Sequence, residues 1–231
     1  MRSILLSITL VLFLTLVFAM QSSTQNNINP KLKAYCNAVE KEFNQIGNER
    51  KNTLNEVAVY INNSLKTDNK CQLMFICTHN SRRSQFGQVW AATAAKYYGI
   101  KNIHTFSGGI EVTACNYRTI SALNRVGFDI AKTTEGDNPK YDVKIDDTDS
   151  AVVLFSKLYG SDSNPKNKFA AIMVCGDADE KCPLVFGAEE RFSLPYKDPK
   201  AFDDSDKEPV KYDERCQQIA REVLYIFSKI N

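Results

Sequence analysis

The residues Cys77-Thr78-His79-Asn80-Ser81-Arg82-Arg83-Ser84 set a cysteine and an Arg-Ser pair apart by five intervening residues. An apolar run ends at Cys77 and an apolar-periodic stretch begins at Arg83, so the segment reads as a loop from strand to helix. In such a loop successive backbone N–H groups converge, and the helix N-terminus adds a positive dipole end. The result is a nest for a tetrahedral oxyanion. Arg83 can add a bidentate fork. Cys77, at the mouth, is expected to be a thiolate near neutral pH and a positioned nucleophile beneath a bound phosphate or arsenate. Ser84 can donate its hydroxyl to the sulfur, and Asn80 can tie the loop to itself. Thr78, His79, Ser81 and Arg82 complete the cradle. The plain alternative is a buried strand-end cysteine beside surface arginines, and the C-x5-R-S spacing argues against it.

Two further cysteines, Cys175 and Cys182, stand seven positions apart after another apolar run. A disulfide across so short a segment requires it to bend or unwind. A redox pair, a static disulfide and two free thiols are all open readings. Cys36, Cys71, Cys115 and Cys216 read as buried or incidentally paired rather than catalytic. With two histidines and no paired C-x-x-C, no zinc site is expected. His79 could tune the thiolate or face solvent, and His104 reads as structural. Tyr117, Tyr159 and Tyr196 could line a rim or simply pack.

These groups need positioning elements. Residues 32–65 carry a helical pattern broken at Gly47-Asn48, which gives two helices and a helical layer with no chemistry of its own. Cys71 to Cys77, Ile103 to Phe106, Ala151 to Phe155 and Ala170 to Val174 read as strands. A helix over residues 83–98 ends at Gly99, and another, capped by Asn116, ends at Gly127. Glu214 to Lys229 is a closing helix. Residues 137–149 and 160–168 read as polar loops. Strands alternating with helices imply an α/β fold with a central, mostly parallel four-stranded sheet. Ligands of such sheets sit beyond the carboxyl ends of the strands.

The chain has 231 residues, 43% hydrophobic and 24% charged, which excludes wholesale disorder and a multi-span membrane protein. A net charge of +2 gives nucleic-acid binding no electrostatic support, and no nucleic-acid partner is expected. The charge is absent from one region. After Arg2 the next charged residue is Lys31, and Ile4 to Phe18 is apolar apart from Ser7, Thr9 and Thr15. Small residues at Val17 and Ala19 then precede a polar stretch. This describes a signal peptide over 1–20, and hence an exported, periplasmic or secreted chain. The alternative is a membrane anchor formed by residues 4–20. The expected organisation is signal peptide 1–20, linker and helical extension 21–66, and the α/β domain 67–231. Seven cysteines are an odd number, so they cannot all pair within one chain.

From Cys71 onward the sequence resembles the low-molecular-weight protein-tyrosine-phosphatase superfamily, whose fold the thioredoxin-coupled arsenate reductases share. Cys77, Arg83 and Ser84 match its C-x5-R-S motif, and Asn80 matches its loop asparagine. Thr105 to Gly109 with the next helix looks like its second βα unit. The resemblance implies a phosphotyrosine protein phosphatase I-like fold and makes Asp198, in Asp198-Pro199, the general acid that protonates a leaving oxygen. It needs no metal and no organic cofactor. It implies hydrolysis of phosphomonoesters through a phosphocysteine on Cys77. The segment Cys175 to Cys182 is similar to the redox segment of the reductases. There the same site would reduce arsenate through a relay of Cys77, Cys175 and Cys182, emptied by a thioredoxin-like electron donor. Ser84-Gln85 looks more like the reductase branch, and Lys200-Ala201 after the Asp-Pro lacks the aromatic pair that the phosphatases often show. Arg82, where reductases often have a second cysteine, and Gln88, where they often have glutamate, depart from it. Export also departs from it, because cytosolic thioredoxin is absent outside the membrane and an oxidising compartment favours a static disulfide. Outside both activities stand a non-catalytic oxyanion-binding protein and a thiol–disulfide exchange protein using Cys175 and Cys182 alone.

Overall fold

The computed structural model describes residues 28–147, 150–181 and 184–230. The expected signal peptide and the side chain of Cys182 lie outside these. Among the described residues no helix is long and apolar enough to cross a membrane.

In chain order the elements are α1 (Pro30–Glu40), α2 (Asn48–Asp68), β1 (Cys71–Cys77), α3 (Arg83–Tyr97), β2 (Ile103–Gly109), α4 (Tyr117–Val126), β3 (Asp129–Lys132), β4 (Tyr141–Lys144), β5 (Ala151–Leu154), β6 (Phe169–Met173), α5 (Gly176–Lys181), β7 (Ala188–Ser193) and α6 (Glu208–Phe227). A sheet of order β2-β1-β6-β7 is parallel throughout. β1 is buried along its whole length, as its unbroken apolar run requires of a strand covered on both faces. Helix ends follow local chemistry. Asn116 accepts from the Arg118 N–H at 2.9 Å, and Gly127 closes α4 with φ +118°. Gly99, at φ +71°, stops α3.

Two strand assignments differ from expectation. The fourth strand of the main sheet is β7 (AEERFS), not residues 151–155. As an edge strand it pairs only with β6 and keeps charged side chains in water, so it lacks the apolar run that reveals a buried strand. Ala151–Leu154 is instead the third strand of a separate antiparallel sheet, β3-β4-β5, and is only half-buried. Its middle strand, β4, lies in the stretch read as a polar loop. Only Val143 of its four residues is buried, so the apolar signal there is a single side chain.

α1 and α2 pack on α6. Leu32, Cys36, Val39, Leu54, Val57 and Ile61 are buried in the same core as β1 and α6.

The candidate oxyanion site at the end of the first strand

The loop between Cys77 and α3 is held from outside by its carbonyls. Thr78 O accepts from the N–H groups of Ile110 and Glu111, each at 2.9 Å. His79 O accepts from Ser156 Oγ at 2.8 Å and Thr113 Oγ1 at 3.3 Å. Asn80 O accepts from Gln85 Nε2 at 2.7 Å, Ser81 O from Asn116 N at 3.0 Å, and Arg82 O from Phe86 N at 3.0 Å. Every carbonyl from 78 to 82 is thus engaged. Among the described residues the N–H groups of residues 79–82 meet no backbone acceptor. A concave set of unpaired donors at a helix N-terminus suits a tetrahedral anion.

Asn80 makes the bend. Its φ of +47° is a left-handed conformation that asparagine tolerates. Its side chain is fully buried and oriented unambiguously. The Lys157 N–H donates to Asn80 Oδ1 at 3.0 Å, which leaves Asn80 Nδ2 to donate to Ser84 Oγ at 2.9 Å. Ser84 Oγ accepts there and still has its own hydrogen to donate, with Cys77 Sγ 3.0 Å away.

Arg83 is fixed by the Asp-Pro loop. Its Nη1 donates to Tyr196 O at 2.9 Å and its Nη2 to Asp198 Oδ2 at 2.6 Å. Its Nε is buried and has no partner among the described residues. A buried donor without a partner suits a bound oxyanion. Asp198 also caps the following turn, accepting from Lys200 N at 3.0 Å. Arg82 donates to Tyr212 Oη at 2.7 Å and Asp203 Oδ2 at 3.2 Å, and its Nε also lies 3.9 Å from Asp198 Oδ1. His79 Nε2 lies 3.1 Å from Glu111, with its side chain 41% exposed. A cleft of about 450 Å³ borders the loop, and His79, Ser81, Arg82, Tyr117, Tyr141 and Lys200 are among its walls.

Cys175 reaches the same loop. Its Sγ lies 3.4 Å from Thr78 Oγ1 and 3.4 Å from the Ala178 N–H at the start of α5, and its residue is 1% exposed. Arg191 and Ser193 of β7 grip Asp179 and hold α5 against the sheet. Burial pushes the thiols of Cys36, Cys71, Cys115 and Cys216 up to about 12.

The structure thus gathers Cys77, Thr78, Asn80, Ser81, Arg83, Ser84, Asp198 and Cys175 around one loop. It adds supports that the sequence did not single out. A Cβ on Gly109 would meet Thr78 O at 2.8 Å and Asn80 N at 2.9 Å, so this position must stay bare for β2 to approach the loop. Ser156 and Lys157 brace the loop from beyond β5. No local signal marks them, because they act through main-chain groups and a serine hydroxyl.

A parallel sheet with C-x5-R-S at the carboxyl end of a central strand defines the class of cysteine enzymes that work on tetrahedral oxyanions. No family model matches the chain. The arsenate reductase of Staphylococcus aureus strain bovine RF122 is 31% identical over 116 residues, 50% of this chain and 69% of that protein. The arsenate reductase of Bacillus subtilis is 27% identical over 145 residues, 63% of this chain and 86% of that protein. A solved low-molecular-weight protein tyrosine phosphatase from T. tengcongensis superposes with a TM-score of 0.47 at 13% identity, over 70% of this chain and 100% of that one. The chain belongs to the low-molecular-weight protein-tyrosine-phosphatase superfamily, including its arsenate reductase branch, and is an enzyme of that fold.

Proposed function

We propose that the chain reduces arsenate through a relay of three thiols. The observation that carries this is the buried Cys175 thiol, 3.4 Å from Thr78 Oγ1 in the oxyanion loop. A second cysteine there has no part in ester hydrolysis. Relatives named arsenate reductase support the same reading.

In this mechanism the loop amides and Arg83 hold arsenate, and the Cys77 thiolate attacks arsenic. An As–S bond forms and one oxygen leaves as water after taking up protons. The Cys175 thiolate then attacks Cys77 Sγ. The S–S bond forms, the As–S electron pair stays on arsenic, and As(V) departs as As(III) arsenite. Cys182 attacks Cys175, which frees Cys77 as a thiolate and leaves a Cys175–Cys182 disulfide. An external thioredoxin-like dithiol reduces that disulfide and is itself oxidised. Ser84 holds the Cys77 thiolate in its resting and leaving states. Export by a signal peptide over 1–20 belongs to the same proposal, with residues 21–66 as an extension of the 67–231 domain, and it requires the donor to be exported too.

Phosphomonoester hydrolysis is the second reading, favoured by Asp198 lying on Arg83 at 2.6 Å. Cys77 would attack phosphorus, and Asp198 would protonate the leaving oxygen and then activate water. The deciding experiment assays arsenate with a dithiol reductant, and an aryl phosphate, using wild type, Cys77→Ser, Cys175→Ser and Cys182→Ser. The relay requires arsenite formation that all three substitutions abolish. Aryl phosphatase activity that survives Cys175→Ser, with no arsenite from wild type, would reject it in favour of hydrolysis. N-terminal sequencing of the mature protein tests export.

A further inference from the structure

Arg50 of α2 belongs to the N-terminal helical layer, yet its contacts converge on the loop that holds Arg83. Its Nε donates to Glu222 Oε2 at 2.8 Å, and its Nη2 to Pro195 O at 3.4 Å. Its guanidinium sits 4.9 Å from the centre of the Tyr196 ring. Glu222 is 4% exposed and takes a further bond from Gln218 Nε2 at 3.1 Å, so the acceptor is itself fixed. Tyr196 is 6% exposed. Its N–H bonds Val174 O at 3.1 Å, next to Cys175, and its carbonyl takes Arg83 Nη1 at 2.9 Å. The short stretch 194–196 therefore joins three things: the Arg83 guanidinium, the neighbour of the second cysteine, and an arginine from the N-terminal helical layer.

We propose that Arg50 is a positioning residue for the oxyanion site. The Arg50–Glu222 pair clamps Tyr196 from behind, and the Tyr196 carbonyl sets the plane of the Arg83 fork. A planar fork has to be aimed to within a few tenths of an ångström to serve two oxygens, so slack in its support is lost as affinity for the anion. The helical layer is then a working part of the site as well as packing. This rests on the reading that Arg83 holds the oxyanion.

The test measures how well inorganic phosphate protects Cys77 from iodoacetamide in the full chain. This readout needs no turnover and yields an apparent phosphate Kd. Arg50→Met, which keeps the apolar stem, is expected to weaken protection about 10-fold. Arg50→Lys keeps the charge without the fork and is expected to weaken it about 3-fold. Arg221→Met cuts the other ion pair between the layer and α6, Arg221 to Glu42 at 3.0 Å. It is expected to lower Tm and leave protection unchanged. Should Arg50→Met not fold, Arg50→Lys decides. Wild-type protection in the folded Arg50 variants, or an equal loss in Arg221→Met, overturns the proposal while the oxyanion site stands. Absence of protection in wild type overturns both.

Discussion

At the residue scale the site depends on which atom donates to which. Because Lys157 N–H occupies Asn80 Oδ1, the amide nitrogen of Asn80 must face Ser84, and the serine hydrogen is left available to the sulfur 3.0 Å away. A hydrogen bond to a charged group is worth about 1.5–3 kcal/mol. Ser84→Ala is therefore expected to slow iodoacetamide alkylation of Cys77 at pH 7 by about 10- to 100-fold, followed by peptide mass spectrometry. Asn80→Ala should act in the same direction through Ser84. In the same digests Cys36, Cys71, Cys115 and Cys216 should stay unmodified, since thiols pushed up to about 12 by burial are neutral at pH 7. The Cys77, Arg83 and Ser84 contacts were legible in the sequence because their spacing is the chemistry. Asn80 as the source of the serine's orientation was not, since it depends on an amide donor 77 residues away.

At the element scale, β2 and α5 constrain what the loop can do. Gly109→Ala would drive a methyl into the backbone at Thr78 and Asn80. The expected cost is about 1–3 kcal/mol of overpacking, read by urea denaturation, together with loss of activity. Wild-type stability in this variant would mean that β2 does not press on the loop. α5 raises a different constraint. At helical rise, seven residues separate two Cα atoms by roughly 10 Å, beyond the ~7 Å limit for a disulfide. α5 lies between Cys175 and Cys182, so their pairing is expected to bend or unwind it. Hydrogen exchange in Gly176–Lys181 should rise when the protein is oxidised and fall when dithiol is restored; equal exchange in both states would exclude a pairing that opens α5. The apolar strands β1 and β6 could be read from sequence because both faces are covered. β4 and β7 could not, because each exposes one face or an edge.

At the scale of the whole molecule, one buried ammonium just past β5 costs stability. Lys157 is buried, and desolvation lowers its ammonium from 10.5 to about 8, with a smaller opposing pull from Cys115. Between about 8 and 10.5 the unfolded chain keeps a proton that the folded chain has released, so stability rises with pH across that window. At pH 7 both states are protonated and the burial penalty is present in full. Lys157→Met is expected to stabilise the protein at pH 7 by about 1–3 kcal/mol and to flatten the rise between pH 8 and 10. Urea titrations at pH 7 and 9.5 measure both. Its backbone N–H, which holds Asn80, is untouched by the substitution.

The sequence by itself determined what short-range order can encode. That includes the nucleophile, fork and serine at C-x5-R-S, the alternation of strands and helices, the helix stops at Gly99 and Gly127, and the apolar strands. These depend on neighbours along the chain. Only the tertiary structure decided that β7 closes the sheet, that Gly109, Ser156 and Lys157 brace the loop, and that Cys175 and Asp198 arrive at it. Arg50 reaching Tyr196 belongs to the same group. Each is a meeting between segments tens of residues apart, set by how strands order and helices pack, and that information does not lie in any one stretch of residues.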